Sequence, residues 1–239
     1  MHRIIIYVFK IKLMNYPGKE LEIFDKATFW RKYVHILVKK YMKENILEVG
    51  AGIGSFTNNY KDKFSKITLT ELDKKNVLIL KKRFKKSKIK IYCDYTKKIK
   101  NKFNTILYMN VLEHIKNDLK EIKIALSKLN KNGYLIILVP AHDKLYTKFD
   151  HEIGHFRRYE IDFFRKLNLK KNKIIKLHYL DSSGYFLYFL NKIFFKEETY
   201  PSKYKIFIWD KFFTPISFVI DKLLNFRFGK NILCIIKKD

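Results

Sequence analysis

Glu48-Val49-Gly50-Ala51-Gly52-Ile53-Gly54 sets one carboxylate beside three glycines at alternate positions. Such glycines let a backbone turn sharply and pass close to a ligand with no Cβ in the way. A dinucleotide fingerprint needs its third glycine where Ser55 stands, and a phosphate loop needs a Gly-Lys-Ser/Thr that is absent. Glu48 would repel phosphate and suits a cationic ligand, such as the ammonium group of an amino-acid moiety. Glu71 follows the loop by about twenty residues, the place of a carboxylate that accepts from two ribose hydroxyls. Asp94 comes next and can accept from the amino group of adenine. The cofactor contacts expected on this reading are Glu48, Gly50, Ala51, Gly52, Gly54, Glu71 with Leu72, and Asp94 with Tyr95. Together they describe a pocket for a positively charged adenosine derivative.

A second group of residues could move protons or hold an acceptor. His114, in Glu113-His114, and His155 are candidate bases, and His142, Arg157, Arg158 and Tyr159 are candidate acceptor contacts. The alternatives are a locally packed His114 at a helix start, and a structural loop whose arginines pair with acids. His151-Glu152-Ile153-Gly154-His155 spells the zinc-protease pattern H-E-x-x-H, which needs both histidines on one helical face. Gly154 weakens a helix there by about 1 kcal/mol. Ile161 stands where a third histidine would be, and the acids downstream are Glu197 and Glu198. The protease is therefore a remote alternative.

Residues so placed need strand ends beneath them. Short apolar runs at 46–50, 66–71, 88–93, 103–110, 134–140, 173–180 and 231–236 predict seven strands. Helical spacing is predicted over 28–42, with Thr28 as N-cap, and over 55–64, 74–84, 116–129 (ended by a glycine cap at Asn132-Gly133) and 161–167. Alternation at this pace implies βαβ crossovers and a mostly parallel sheet covered by helices on both faces. The glycine loop, Glu71 and Asp94 then fall at the carboxyl ends of three successive strands, where such sheets bind ligands. Residues 1–27 read as an N-terminal extension and 28–239 as one domain. Its core runs from 45 to 180, an aromatic-rich helical insertion or lid over about 183–228, and the last strand over 231–236.

ILEVGAGIGSFT, TELD, CDYT, NVLEHI and NKNGYLIILVPAHD together resemble the class I S-adenosylmethionine-dependent methyltransferases, continuously from about Ile46 to Tyr159 and again at GKNILCIIKK. The resemblance implies a Rossmann-like fold with S-adenosylmethionine as cofactor. Glu48, Gly50 and Gly52 would border its methionine half, Glu71 its ribose and Asp94 its adenine, with Asn110 and Val111 alongside. The VPAH…GHFRRY pattern is similar to methyltransferases of cell-surface glycan or lipid-linked sugar pathways, so a hydroxyl on a small-molecule, glycan or lipid-linked acceptor is expected. Quinone O-methyltransferases with a similar segment hold a divalent metal, but Asn110 replaces the first acid, and no metal is expected.

The net charge is +28, and 44 of the 51 basic residues are lysines spread over almost every segment. This reads as a lysine-coated surface more than a nucleic-acid stripe. An RNA methyltransferase remains the alternative, since TELD also resembles the ribosomal RNA adenine dimethyltransferases. Their Asn-x-Pro-aromatic signature is replaced here by Asn110-Val111-Leu112-Glu113. A non-catalytic cofactor-binding module is the remote third. Cys93 and Cys234, far apart in apolar runs, read as core cysteines of a reducing compartment. No uncharged run approaches the roughly 18 residues of a membrane span. A cytoplasmic protein is expected, with a disposable leader over 1–13. Lysine and aromatic residues at 184–195 and 206–228 suggest a lid, or a peripheral seat on anionic membrane.

Overall fold

The computed structural model describes residues 19–194 and 200–239. The expected leader at 1–13, and Glu197 and Glu198, lie outside them. Seven strands form one sheet in the order β3-β2-β1-β4-β5-β7-β6. They are β1 (Ile46–Val49), β2 (Ile67–Thr70), β3 (Lys90–Tyr92), β4 (Phe103–Met109), β5 (Leu129–Pro140), β6 (Lys173–Leu180) and β7 (Asn231–Lys237). Strands β1 to β5 pair in parallel, while β7 runs antiparallel to β5 and β6. The chain order reverses between β1 and β4, so the carboxyl ends of these two strands flank the switch point where ligands bind.

Alternate side chains divide the core into two layers. Ile46, Ile136, Leu138, Leu233 and Ile235 face one side, where α2 (Thr28–Val38) and α3 (Lys74–Arg83) add Trp30, Val34 and Leu80. Leu47, Ile137, Val139, Ile232 and Cys234 face the other, covered by Ile122 and Leu126 of α4 (Asp118–Lys128) and Phe164 of α6 (Ile161–Arg165). Between β6 and β7 come α7 (Ser182–Phe194), α8 (Lys203–Ile208) and α9 (Thr214–Leu223), the last two joined by a π-helical segment at Trp209–Phe213.

Several local expectations are corrected. Residues 19–27 pack onto the domain: α1 (Lys19–Phe24) brings Leu21 against Gly52, and Asp25 pairs with Arg83 at 2.8 Å. Thr28 is inside α2, and the cap comes from afar. Asp210 of the π segment accepts from the Phe29 and Trp30 amides at 3.2 and 2.9 Å. Residues 55–64 form turns with a single 3-10 turn at Thr57–Asn59, because Asn and Thr are weak helix formers and the Asn59 amide donates to the Phe56 carbonyl at 3.0 Å. Gly133 does not cap α4. Strand β5 has already begun at Leu129, and Gly133 sits in an irregularity where an added Cβ would lie 2.9 Å from the Asn130 carbonyl oxygen and 3.0 Å from that of Asn104. Cys93 is exposed, since it follows the outermost strand, whereas Cys234 is buried. Among the described residues no helix is long and apolar enough to cross a membrane.

Candidate cofactor and acceptor site

The glycine loop leaves β1 at the switch point with Gly50, Gly52 and Gly54 at φ of +63°, +55° and +81°. A side chain in that left-handed region costs about 1–2 kcal/mol. At Gly50 the neighbourhood adds to this, since a Cβ would lie 2.8 Å from both methyl carbons of Val111. Gly50→Ala is therefore expected to lose more than the roughly 1–2 kcal/mol of backbone strain, and Val111→Ala in the same chain should return only the steric part. Urea midpoints of the single and double variants check this; full rescue by Val111→Ala would show that φ does not matter. Gly54 lets the loop approach α3, where a Cβ would meet Phe84 and Leu80.

Glu71, at the end of β2, binds the loop directly. One carboxylate oxygen accepts from the Gly52 amide at 2.8 Å, and the other from the Leu72 and Asp73 amides at 2.8 and 2.9 Å. Burial pushes its carboxyl up, partly offset by these three amides. Ala51 donates to the Thr70 carbonyl at 3.0 Å, closing the loop onto β2. Asp94, half-buried past the end of β3, accepts from the Tyr95 amide at 2.8 Å. Leu72 and Tyr95 are 46% and 55% exposed, apolar surface beside each acid that a flat base can cover. Asn110, at φ +55°, donates its amide to Leu138 at 2.9 Å and delivers Val111 to the glycine loop. Loop, Glu71, Asp94, Asn110 and Val111 thus share one sheet edge, where the carboxylates of Glu71 and Asp94, beside the exposed Leu72 and Tyr95, have the chemistry to accept from an adenosine ligand.

Glu48 takes a different place. It is buried, and one carboxylate oxygen accepts from Thr57 Oγ1 at 2.6 Å and the Tyr60 hydroxyl at 2.5 Å. Burial lifts its carboxyl to about 7 against these two bonds. In place of the expected ammonium contact, Glu48 anchors the segment after the loop. The native state keeps this proton to about pH 7 while the unfolded chain releases it near 4.5. Stability is thus highest below the unfolded value and falls as pH rises across that window, by up to about 3 kcal/mol. Glu48→Gln is expected to escape that loss, so its urea midpoint should gain on the parent between pH 5 and pH 8. Parallel curves would contradict the burial argument.

The loop after β5 gathers a second set of groups. The rings of His114 and His155 meet edge to face at 4.6 Å. Glu113, missed from the sequence although it adjoins His114, is fully buried, neither carboxylate oxygen is hydrogen-bonded among the described residues, and His155 Nε2 lies 3.8 Å away. Burial raises Glu113 to about 7 and lowers His114 to about 3. Ligand atoms of Glu113, His114 and His155 all lie within 4.8 Å of one another, a donor set chemically able to hold a divalent ion, though not the one that Asn110 would have begun. His155 is oriented by Asp150, whose carboxylate accepts from Nδ1 at 2.7 Å.

The candidate acceptor contacts fall elsewhere than expected. Arg158 is buried in a two-point pair with Asp150, both contacts at 3.0 Å. Arg157 binds Asp118 and the Lys116 carbonyl, and the buried Tyr159 hydroxyl reaches Asp118 at 3.0 Å. These three residues hold the loop together, which is the structural alternative. His142, at φ +65°, stacks on Tyr179 at 5.0 Å and meets the Gly229 carbonyl at 3.1 Å. The protease geometry is absent: α5 (Lys148–Glu152) ends before His155, Gly154 turns at φ +83°, and His151 is exposed.

Comparison with known proteins bears on the family and the fold. The sequence profile of a methyltransferase domain family matches residues 24–174. None of the curated proteins matches the chain in sequence. An S-adenosylmethionine-dependent methyltransferase from Clostridium acetobutylicum superposes with a TM-score of 0.59 at 15% identity, over 94% of this chain and 99% of its own. The N-methyltransferase NodS from Bradyrhizobium japonicum, in complex with S-adenosyl-L-homocysteine, gives 0.54 at 12% identity over 95% and 91%. The plantazolicin methyltransferase BamL, also bound to that product, gives 0.55 at 13% over 93% and 88%. With a strand order and glycine edge of this kind, the chain belongs to the methyltransferase domain family and has the Rossmann-like fold of the class I S-adenosylmethionine-dependent methyltransferases.

Proposed function

We propose that this protein transfers the methyl group of S-adenosylmethionine to a hydroxyl of a small-molecule, glycan or lipid-linked acceptor. The observation that carries the reading is the Glu71 carboxylate, which ties the glycine loop to the end of β2 while Asp94 stands past the next strand end. When bound, the cofactor supplies an electrophilic methyl on a sulfonium. The chain's part is to bind and align. The backbone of Gly50 and Gly52 lines the ligand, Glu71 takes its ribose, Asp94 its base amino group, and Leu72 and Tyr95 shield the base. Alignment of this kind is worth up to roughly 7–11 kcal/mol.

A hydroxyl acceptor must also lose a proton. His155 is built for that, because Asp150 accepting from Nδ1–H leaves Nε2 as the basic nitrogen. His114 lies against its ring and keeps that side of the cluster close to Val111 in sequence and space. Labelled S-adenosylmethionine incubated with the protein and a lysate should put label into a lipid or glycan fraction. Label recovered in RNA alone would instead support the nucleic-acid alternative, and no label in any fraction would remove the transferase reading.

A further inference from the structure

Helices α8 and α9 and the π segment between them form one continuous rod over Lys203–Leu223. Along it Tyr204, Phe207, Phe212, Ile216, Val219 and Leu223 are 71%, 52%, 60%, 44%, 55% and 79% exposed. Spacings of three and four repeat except for one of five, between Phe207 and Phe212. That step crosses the π segment, where one extra residue per turn keeps the stripe on the same face. The stripe continues sideways. Ile216, Ile220 and Leu224 line an apolar groove of about 320 Å³ with Phe186 of α7 and Phe228. A contiguous apolar face of this extent on a water-facing surface marks an interaction site.

Charge identifies what covers it. Between Tyr200 and Lys230 the chain carries six cations, Lys203, Lys205, Lys211, Lys222, Arg227 and Lys230, and only two acids. Both acids are buried and bound inward. Asp210 caps α2, and Asp221 accepts from the Tyr33 hydroxyl at 2.6 Å and the Asp181 amide at 2.7 Å. Lys211 and Lys230 also turn inward, to Asp210 at 3.5 Å and Asp181 at 3.3 Å. Outward, the described segment is apolar with Lys203, Lys222 and Arg227 exposed along it. A second copy meeting through the same face would set cations against cations, a like-charge arrangement that costs affinity. An anionic bilayer satisfies both features: the apolar stripe enters the acyl boundary while lysine heads stay at the phosphates.

We propose that this face of the α8–α9 rod docks on the surface of anionic membranes. The rod also adjoins the cofactor edge. Trp209 packs edge-on against Phe24 of α1 at 6.3 Å, and α1 lays Leu21 over Gly52. Docking needs no turnover and stands by itself. Joined to the methyl-transfer reading, on which this one step rests, it points to an acceptor carried by the lipid phase.

The test is co-sedimentation of the full chain with phosphatidylcholine vesicles containing or lacking phosphatidylglycerol, at low and at about 0.5 M salt. Expected are binding to the phosphatidylglycerol vesicles that partly survives the higher salt, and at least about tenfold weaker binding for Val219→Glu/Leu223→Glu. Leu78→Glu on α3, where Leu78 is 67% exposed, should bind like the parent. These residues are too exposed for the changes to unfold the chain, and unaltered circular dichroism verifies that. Equal binding of all three proteins would show diffuse lysine charge acting alone and overturn the proposal. So would no binding, or a dimer that Val219→Glu/Leu223→Glu dissociates. Because no cofactor enters the assay, its failure leaves the methyl-transfer reading untouched, and failure of transfer leaves docking untouched.

Discussion

Glu71→Ala is expected to weaken S-adenosylmethionine binding by about 100-fold and to leave the chain folded. The side chain does two things at once. Its three amide contacts fasten the glycine loop to the start of the segment leading into α3, so the loop is shaped before a ligand arrives. It also presents a carboxylate that burial pushes away from its ordinary value, and that the three amides only partly restore. Donors from a ribose diol are what such a group lacks. A hydrogen bond to a charged group contributes about 1.5–3 kcal/mol, so losing even one strong contact and the loop's order together reaches the expected factor. Glu71→Gln keeps an oxygen for some of the amides and gives up the charge, and should lie between the parent and Ala. Calorimetric titration of the cofactor checks the series. Equal affinity for the parent and the Ala variant would remove the ribose assignment.

What the sequence made legible is local in origin. Apolar runs bounded by glycine, lysine or proline marked six of the seven strands to within a few residues, most plainly where the strand is buried, as in β1 and β7, although the edge strands β3 and β6 are exposed or half-buried over nearly all their length. Strand β5 is the exception: it starts five residues early, at Leu129, where polar Asn and Lys hide a segment that pairs with Phe103 of β4 and bonds to Lys238 just past β7. The glycine loop, Glu71 and Asp94 could be placed at one sheet edge because each follows a strand at the same end of a parallel sheet. Glu48 shows the limit. Its position is right at the loop, but a side chain's direction depends on which partners the fold brings, here Thr57 and Tyr60. The arginines of the GHFRRY segment failed for the same reason. Arginine reads as an anion-binding group until Asp118 and Asp150 are seen against Arg157 and Arg158. Long-range caps such as Asp210 on α2, 180 residues apart in sequence from Trp30, leave no sequence signal at all.

Removing Arg158 should cost more stability than other single changes in the loop, about 3–5 kcal/mol for Arg158→Met. Arg158 and Asp150 are 6% and 0% exposed, and the guanidinium meets the carboxylate through Nε and Nη2 at 3.0 Å each. It also accepts a face of the Tyr188 ring at 4.8 Å and donates to the Tyr188 hydroxyl at 3.0 Å, which ties α7 to the loop. Burial works to raise Asp150, yet the His155 hydrogen bond and Arg158 hold its carboxyl at about 2, below the ordinary 3.8. A depressed carboxyl contributes stability that is complete above the unfolded value and is lost as pH falls through the folded one, here from about 4 to about 2. Methionine fills similar volume but leaves the buried Asp150 carboxylate to its hydrogen bonds with His155 and Thr147, and the lost guanidinium charge is the source of the loss. Arg158→Met/Asp150→Asn removes the carboxylate charge and should recover part of it, so the two changes will not be additive. Arg158→Lys should fall between, since an ammonium cannot make the two-point contact. Urea unfolding of the four proteins near pH 7 decides the matter: a loss under about 1 kcal/mol for Arg158→Met, or strict additivity with Asp150→Asn, would mean that the pair behaves as an exposed one and that other contacts hold the loop and its His155 in place.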